Sequence, residues 1–293
     1  MKAGFVGLGA MGGPMARNLA RAGMLAGIHN RTAATAARFA TEFGVQAFTD
    51  LASLASFCDA VVLCVSADVD VLAVVDGLRE GLSAEKAVID CSTVAAETAR
   101  EAARRLAPTG AAFLDCPVSG GTEGARDGTL AIMAGGDAAA FERARPLLEV
   151  LGRHVHHVGP VGAGQATKAT NQIMVAGINQ AVSEALAFAA AQGLPLSRVI
   201  DALRNGAAAS WFLTHRGPNM VEGRYPLGFK VELHRKDLEI CRAMAARDGV
   251  QMPIVEMTLH HYRRLLADEH GDEDISSLYR LKSAMFENAD SRD

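Results

Sequence analysis

A glycine-rich turn close to the N-terminus constrains the fold of this chain more than any other feature. A short apolar segment, 3–7, leads into Gly7, Gly9 and Gly12, and apolar residues then recur at helical spacing over 12–22. In a strand–turn–helix unit, the first glycine makes the tight turn, the second lets a pyrophosphate approach the backbone, and the third allows close helix packing. The helix start then offers unpaired N–H groups to the phosphates. The pattern predicts a dinucleotide-binding unit, with a tight turn that binds no ligand as the alternative.

Short apolar runs alternate with helical stretches up to about residue 160. The expected strands are 3–7, 25–29, 60–65, 87–90, 111–114 and 130–134. The expected helices between them are 12–22, 32–43, 68–80 and 95–107. This order predicts an α/β fold with a mostly parallel sheet and helices on both faces.

The pattern changes at the glycine-rich segment 158–164, beyond which the segments show the helical period. Helices are expected over 164–191, 197–205, 210–221, 229–248, 253–268 and 276–286. A chain of 293 residues suits two domains. We therefore expect an N-terminal dinucleotide-binding domain over 1–161 and a C-terminal all-α domain, for substrate binding and oligomerisation, over 162–293.

Composition excludes several classes of function. A net charge of -4 provides no positive field for nucleic acid. No apolar run reaches the roughly 18 residues of a membrane span, and no leader pattern is recognisable, so we expect a cytoplasmic protein with no membrane partner. The five cysteines form no Cys-x-x-Cys pair and are expected to be buried thiols. His154 and His156 alternate in a strand-like segment, but no carboxylate or thiol completes a site, so no metal is expected.

The end of the second expected strand indicates which dinucleotide is bound. NAD-selective sites carry Asp or Glu there for the ribose hydroxyls, whereas this chain has Asn30, Arg31 and Thr32. A guanidinium can pair with a 2′-phosphate. The segment therefore favours NADP over NAD, and a solvated arginine at a helix start is the alternative.

Lys168 is a candidate for proton transfer. It is one of six lysines in the chain and lies near the expected start of the long helix. Asn171 and Gln172 follow three and four residues later, which places them on the same helix face. A lysine whose pKa is lowered can take the hydroxyl proton when an alcohol is oxidised and can return it in reverse. The alternative is a surface lysine.

Residues 115–121 follow the strand 111–114, where open α/β sheets bind ligands. The hydroxyl of Ser119 and the backbone N–H groups of Gly120 and Gly121 can bind a carboxylate. The alternative is a simple turn.

Four separated segments together resemble the β-hydroxyacid dehydrogenase family: 7–16, 115–121, 162–172 and 229–238. This family includes 3-hydroxyisobutyrate dehydrogenase, tartronate semialdehyde reductase and the succinic semialdehyde reductases. The resemblance covers nearly the whole chain in the expected order and spacing. It implies a Rossmann domain followed by an all-helical domain that begins with a long interdomain helix. An Ala-rich helical domain also suggests a homodimer or homotetramer.

The resemblance implies that Lys168 is the catalytic acid/base and that residues 119–121 bind the carboxylate of a small-molecule substrate. Family members often have two asparagines after this lysine, whereas here Asn171 is followed by Gln172. Both are expected substrate-binding residues, and which of them contacts substrate stays open.

The resemblance also extends the set of expected cofactor contacts. Thr93 matches a family position beside the nicotinamide. Cys64 and Val65 match the backbone segment that lines the cofactor. Family members often have proline in that segment, so Val65 departs from the family pattern. Lys236 matches a cofactor contact from the helical domain. The complete expected set is Gly7, Leu8, Gly9, Ala10, Met11, Gly12, Asn30, Arg31, Thr32, Cys64, Val65, Thr93 and Lys236.

Three further features admit structural interpretations. Lys236 and Asp237 lie on the apolar stripe of their helix, so a buried ion pair is the alternative to a cofactor role. That stripe is expected to comprise Leu233, Ile240, Cys241 and Met244. Trp211 is expected in the core or an interface, with a place in the substrate pocket as the alternative. The acidic segment 270–274 is expected to be a solvated turn.

The sequence therefore predicts an oxidoreductase that transfers hydride between NADP(H), with NAD as the other option, and a small β-hydroxy acid or semialdehyde. Two alternatives stay open. One is an imine reductase-like enzyme, a group that generally lacks the lysine at position 168. The other is a non-catalytic dinucleotide-binding regulatory protein.

Overall fold

The computed structural model describes the backbone of residues 1–290 and the side chains of residues 1–286. It divides into a first unit, Met1–Lys168, and a second unit, Ala169–Asp293. The glycine-rich segment 158–164 lies just before this division.

The first unit is built on one sheet whose strands begin with the N-terminal apolar run. The strands are β1 Ala3–Val6, β2 Leu25–His29, β3 Gln46–Ala47, β4 Ala60–Leu63, β5 Ala87–Asp90, β6 Ala112–Asp115, β7 Val118–Ser119, β8 Leu130–Gly135 and β9 Gly152–Gly159. Their order is β3-β2-β1-β4-β5-β6-β8-β7, with β9 paired to β8. Strands β1 to β6 pair in parallel, while β8 is antiparallel to β6 and β7. The expected mostly parallel sheet is confirmed.

Helices cover both faces of this sheet. They are α1 Gly12–Arg21, α2 Ala33–Phe43, α3 Leu51–Phe57, α4 Asp68–Leu78, α5 Ala96–Leu106, α6 Gly121–Asp127 and α7 Ala138–Leu151. Adjacent strand residues point into different cores: Phe5 packs with Met15 of α1, and Val6 packs with Leu54 of α3. Because successive side chains of a strand point to opposite faces, both faces need a covering layer of helices.

The strand order reverses beside β1. The chain proceeds from β1 outward to β3 and then crosses back to β4, on the other side of β1. The carboxyl ends of β1 and β4 therefore lie side by side where the connections diverge. In open α/β sheets this switch point is where a dinucleotide binds.

The second unit is helical. It begins within α8 Ala163–Ala191 and continues through α9 Leu196–Leu203, α10 Trp211–Val221, α11 Val231–Arg247, α12 Pro253–Ala267 and α13 Leu278–Asp290. In its described part, β pairing is limited to the bridge between Lys230 and Asp274. Its core includes Leu238 and Tyr262, both fully buried. The expected all-helical C-terminal part is confirmed.

Helix α8 alone, among the helices described, is long and apolar enough to cross a membrane by length and composition. Its second-unit part nevertheless buries polar side chains that bond to neighbouring helices. Asn179 donates to the carbonyl of Ile275 over 2.8 Å, and Gln180 donates to Thr258 over 3.2 Å. Buried amides with such partners are typical of a core helix in a protein interior.

Several elements were not expected from the sequence. Strands β3 and β7 have two residues each, too few for an alternating pattern. Helix α3 has seven residues, α6 is similarly short, and α7 contains Pro146. The sequence indicates β9 only through the alternation of His154 and His156, because most residues of this strand are exposed and it lacks an apolar run.

Two structural interpretations of the sequence are wrong, and a third is narrowed. Trp211 is 57% exposed, which excludes the core and leaves the interface as the prediction, and its ring stacks on that of His215 with centroids 4.4 Å apart. Leu233 is 42% exposed, since the buried face of α11 runs through the adjacent His234 instead. Asp274 is fully buried rather than solvated, because it accepts the amides of two preceding loop residues, 228 and 229.

Candidate dinucleotide and substrate site

The three glycines of the N-terminal turn differ in the space that a side chain would meet. Gly7 has φ +93°, and a Cβ there would lie 2.3 Å from the carbonyl oxygen of Cys64. A Cβ on Gly12 would lie 2.0 Å from the oxygen of Gly7. Around Gly9, no described atom lies within 4 Å of such a Cβ. The turn itself requires Gly7 and Gly12, whereas Gly9 borders open space that a ligand can occupy.

The start of α1 suits an anion. Its N-cap is Met11, whose thioether offers no oxygen to the amides of the first turn, and the first turn is Gly12, Gly13 and Pro14. Helix N-termini carry partial positive charge and N–H groups that bind phosphate. The observed cradle therefore fits a dinucleotide pyrophosphate.

The end of β2 is connected to this turn through Asn30. Its Oδ1 accepts the amide of Leu8 at 2.9 Å, and its Nδ2 donates to the carbonyl of Thr32 at 3.2 Å. Arg31 lies between Asn30 and Thr32 with its side chain 93% exposed, 3.8 Å from the carboxylate of Asp70. An exposed pair of this kind is weak, so Arg31 can exchange it for a ligand anion.

The ends of β4 and β5 are connected beside the turn. The amide of Cys64 donates to the oxygen of Val6 at 3.0 Å, which continues the pairing of β1 and β4. The amide of Val65 donates to Oγ of Ser92 at 2.9 Å. The loop after β5 that contains Thr93 therefore lies against the end of β4, as the parallel pairing of these strands requires.

Two buried aspartates end β5 and β6 and are register partners, Asp90 opposite Asp115. Oδ1 of Asp90 accepts the amide of Ser92 at 2.8 Å, while its buried Oδ2 has no hydrogen-bond partner among the described residues. Burial raises the pKa of Asp90 to about 7, and the charge of Asp115 contributes in the same direction. A neutral carboxyl is the form that an unpaired buried oxygen favours.

Asp115 binds the start of α8. Its Oδ1 accepts the amide of Gly162 and its Oδ2 the amide of Gln165, each at 2.8 Å. Burial raises the pKa of Asp115, and these two bonds act against that rise. A Cβ on Gly164 would lie 2.3 Å from the backbone oxygen of Asp115, so only glycine permits this close approach.

Lys168 follows Gln165 by one helical turn and is 7% exposed. The side chain of Gln165 binds the β5 loop on both sides of Thr93: it accepts from the amide of Val94 at 3.2 Å and donates to the oxygen of Ser92 at 2.8 Å. The interpretation of Lys168 as a surface lysine is wrong. A buried lysine is rare without a specific role or partner.

Residues 119–121 extend from the end of β6. Strand β7 continues past that end and pairs Ser119 with Ala131 of β8. Gly120 and Gly121 follow with φ of +134° and +63°, a region that side chains disfavour. The segment is therefore a tight turn in which Gly120 is exposed, while Ser119 and Gly121 are half-buried.

The second-unit candidates come together at Asp237 of α11. Nε2 of Gln172 donates to Oδ2 of Asp237 at 2.7 Å, and Nζ of Lys236 lies 3.2 Å from its Oδ1. Nδ2 of Asn171 donates to Oε1 of Gln172 at 2.8 Å. Asp237 is buried and Lys236 is about one-third exposed. The two residues therefore form an ion pair, as the structural alternative predicted, but only the aspartate is buried.

Comparison with known proteins identifies the family. Residues 2–159 match the domain family described as the NAD binding domain of 6-phosphogluconate dehydrogenase. Residues 162–282 match the one described as NAD-binding of NADP-dependent 3-hydroxyisobutyrate dehydrogenase. The chain belongs to the β-hydroxyacid dehydrogenase family.

Relatives of this dehydrogenase align over almost their entire length. The 2-hydroxy-3-oxopropionate reductase of Escherichia coli is 39% identical, with 97% of this chain and 98% of the relative covered. The 3-hydroxyisobutyrate dehydrogenase of Pseudomonas aeruginosa is 33% identical, with 94% and 97% covered. A solved structure of Mycobacterium tuberculosis 3-hydroxyisobutyrate dehydrogenase with L-serine is 31% identical and has a TM-score of 0.87, covering 96% of this chain and 98% of that chain.

Membership confirms the resemblance, the Rossmann fold of the first unit and the enzyme class. This dehydrogenase is a nicotinamide-dependent oxidoreductase that acts on CH–OH groups. The cradle at Gly7, Gly9 and Gly12 fits that cofactor. Within the described residues, no group of three or more His, Cys, Asp or Glu side chains is placed to hold a metal ion. None of the five cysteines, all of which lie in the described part of the chain, forms a disulfide; four are buried and Cys64 is half-buried.

The residues that the motifs did not single out are Ser92, Gln165 and Asp115, which connect the candidate residues to one another. Gln165 and Asp115 were present inside the motif segments 162–172 and 115–121. Their partners lie between 47 and 73 residues away in sequence, a separation that local periodicity does not reveal.

Proposed function

We propose that this dehydrogenase transfers hydride between NADP(H) and a small β-hydroxy acid or the corresponding semialdehyde, with Lys168 as general acid/base. The observation that carries the proposal is the burial of Lys168. It lies one helical turn after Gln165, whose side chain bonds to the loop that contains Thr93. A proton-transferring group must lie close to the reacting carbon, and therefore close to the nicotinamide.

A bound nicotinamide would serve as the hydride acceptor when the C–H bond of the alcohol breaks in the oxidative direction. The neutral amine of Lys168 takes the hydroxyl proton as the C–O bond becomes a carbonyl. In the reductive direction, the ammonium form returns that proton to the carbonyl oxygen. Proton transfer by a positioned side chain contributes typically 10²–10⁴-fold to such rates.

The substrate carboxylate is proposed to bind residues 119–121. The Ser119 hydroxyl and the N–H groups of Gly120 and Gly121 supply donors without a bulky side chain. A relative that acts on 3-hydroxyisobutyrate supports this substrate class, since that compound carries a hydroxyl β to a carboxylate. L-serine, present in the solved relative, has the same arrangement.

The cofactor is proposed to be NADP. Its pyrophosphate would bind the glycine turn, and its 2′-phosphate would bind Arg31 at the end of β2, with Asn30 and Thr32 beside it. No carboxylate occupies 29–32 to favour the ribose hydroxyls of NAD. Cys64, Val65 and Thr93 would line the nicotinamide.

The second unit is proposed to contribute Asn171 and Gln172 to substrate and Lys236 to the cofactor. Asp237 is the partner of both Gln172 and Lys236, and Asn171 donates to Gln172, so the three side chains belong to one hydrogen-bonded group. We propose domain limits of 1–161 and 162–293. The second domain would form the contacts of a homodimer or homotetramer, and the protein would be cytoplasmic.

The test is a panel of small semialdehydes and β-hydroxy acids, assayed with NADPH and NADH on the wild type and on Lys168→Met. We expect turnover of at least one member, and a loss of about 10²–10⁴-fold in kcat for Lys168→Met. The matched control is Lys282→Met, because Lys282 is also buried but pairs with Glu184 at 2.6 Å in the second unit. An inert wild type, or full activity of Lys168→Met, would overturn the mechanism.

A further inference from the structure

The backbone on both sides of Thr93 is bound by one side chain. Oε1 of Gln165 accepts the amide of Val94, and Nε2 of Gln165 donates to the carbonyl of Ser92. Gln165 is 1% exposed, so water does not compete for these bonds. The orientation of Thr93 therefore depends on the position of Gln165.

The same connection reaches the end of β4. Oγ of Ser92 accepts the amide of Val65 at 2.9 Å, and the amide of Ser92 donates to Asp90. Ser92 thus uses its hydroxyl for one neighbouring loop and its carbonyl for Gln165. The two loops that carry Val65 and Thr93 are joined through Ser92 to the first turn of α8.

Lys168 lies on the next turn of that helix, three residues after Gln165, and so on the same face. The backbone amide of Gln165 is itself bound by Asp115 at 2.8 Å. Gln165 is therefore fixed at both its backbone and its side chain, and it can transmit the position of the β5 loop to the lysine within one helical turn.

We infer that Gln165 is a positioning residue that aligns Lys168 with the nicotinamide-lining loops, through its two bonds around Thr93. This inference rests on the proposed role of Lys168. Hydride and proton move between groups that must be placed together, and a misplacement of about 1 Å can cost on the order of 10²-fold in rate. Gln165 touches neither reacting atom in this role.

The test uses the isosteric variant Gln165→Glu and the apolar variant Gln165→Leu. A protonated carboxyl can still accept from Val94 and donate to Ser92, whereas a carboxylate would face the carbonyl oxygen of Ser92 with no hydrogen to donate. We expect kcat of Gln165→Glu, relative to wild type at each pH, to fall about tenfold or more as the introduced carboxyl ionises. Gln165→Leu should lose about 10–100-fold at every pH, with the KM for cofactor changed less than about threefold.

A second readout is the isotope effect with cofactor deuterated at the transferred position. It should be larger in Gln165→Leu than in wild type, because misalignment slows the hydride step itself. The matched control is Gln180→Glu, a buried glutamine on the same helix that bonds Thr258 and His261. It should retain the wild-type pH profile.

Three outcomes would overturn the inference: kcat within twofold of wild type for both Gln165 variants, a change confined to the KM for cofactor, or an equal change in Gln180→Glu. If Gln165→Leu fails to fold, the pH profile of Gln165→Glu decides alone. Failure of the proposed function is distinguishable, because it would appear as full activity of Lys168→Met whatever the Gln165 variants do.

Discussion

Oδ2 of Asp115 lies 2.8 Å from the backbone nitrogen of Gln165, so the last residue of β6 caps the first turn of α8. The other carboxylate oxygen accepts the amide of Gly162. Asp115 also begins the segment that leads to Ser119. One buried carboxylate therefore joins the end of β6, after which the chain continues to the turn at 119–121, to the first turn of the helix that carries Lys168.

Asp115→Asn should destabilise the protein by about 1–3 kcal/mol, because a carboxamide retains one acceptor and turns its NH2 toward the other buried amide. The measurement is urea unfolding without cofactor. The control is Asp137→Asn, an exposed cap that accepts the amide of Ala140 at 2.8 Å at the start of α7. Asparagine caps helices as well as aspartate, so the control should change little, and equal losses would contradict the role assigned to Asp115.

Two substitutions in the glycine turn should have different effects, one on stability and the other on cofactor binding. Gly12→Ala brings a Cβ to 2.0 Å from the oxygen of Gly7 and should lower the Tm. Gly9→Ala meets open space and should leave the Tm within about 2 °C, while it weakens cofactor binding at least tenfold by occupying that space. Thermal unfolding and fluorescence titration with NADPH measure the two effects. Unchanged binding in Gly9→Ala would exclude the pyrophosphate from this turn.

The sheet edge was largely predictable because strands β1, β2, β4, β5 and β6 are each followed by a recognisable motif. Strands β2 and β5 have the expected bounds, and the glycine turn follows β1. Lys168 was identified as a candidate from spacing and resemblance, but its burial was not, since burial depends on packing in three dimensions.

The polar interior of the second unit was not predictable. The segment around Asp274 is acidic and rich in loop formers, so a solvated turn was the natural expectation, yet its amide partners lie 45 and 46 residues earlier. The buried face of α11 is displaced by one residue from the expected apolar stripe, so His234 is buried and Leu233 is exposed. Helical periodicity identifies the element, whereas the exact buried face depends on its partners.

Arg31→Ala should raise the KM for NADPH by tenfold or more and leave that for NADH within about threefold, because only NADPH carries the 2′-phosphate. Initial rates with both cofactors measure this ratio. Arg38→Ala, an exposed arginine two turns later on α2, is the control and should not alter the ratio. Equal effects of Arg31→Ala on both cofactors would refute the assignment of NADP.

Lys236→Ala should weaken cofactor binding, because it removes the cation that Asp237 orients at 3.2 Å. We expect the Kd for NADPH to rise about three- to tenfold, measured by fluorescence titration. The control is Lys230→Ala, whose ammonium pairs with Asp272 at 2.5 Å near the surface, and which should bind as wild type does. If binding and turnover of Lys236→Ala were both unchanged, only a structural ion pair with Asp237 would remain.

Asp90 should make stability fall as the pH rises through the neutral range. Burial raises its pKa to about 7 from an ordinary value of 3.8, so between these values the native state binds a proton that the unfolded chain releases. The free energy of unfolding should therefore decrease between about pH 4 and 7, by up to about 1.4 kcal/mol for each pH unit. Above about pH 7 the carboxyl is ionised in both states, and below about pH 4 it is protonated in both, so the contribution is constant there.

Asp90→Asn removes this ionisation, and its Oδ1 can still accept the amide of Ser92. Urea unfolding at several pH values between 4.5 and 8 should show wild type losing stability relative to the variant as the pH rises, with the change levelling off near pH 7. Asp127→Asn serves as the control: the bond from Arg126 lowers the pKa of this exposed carboxylate below its ordinary value of 3.8, so its contribution is constant between pH 4.5 and 8 and this variant should run parallel to wild type. Parallel stability profiles for wild type and Asp90→Asn would mean that Asp90 is already ionised in the native protein, and that its buried oxygen has a partner that balances the charge.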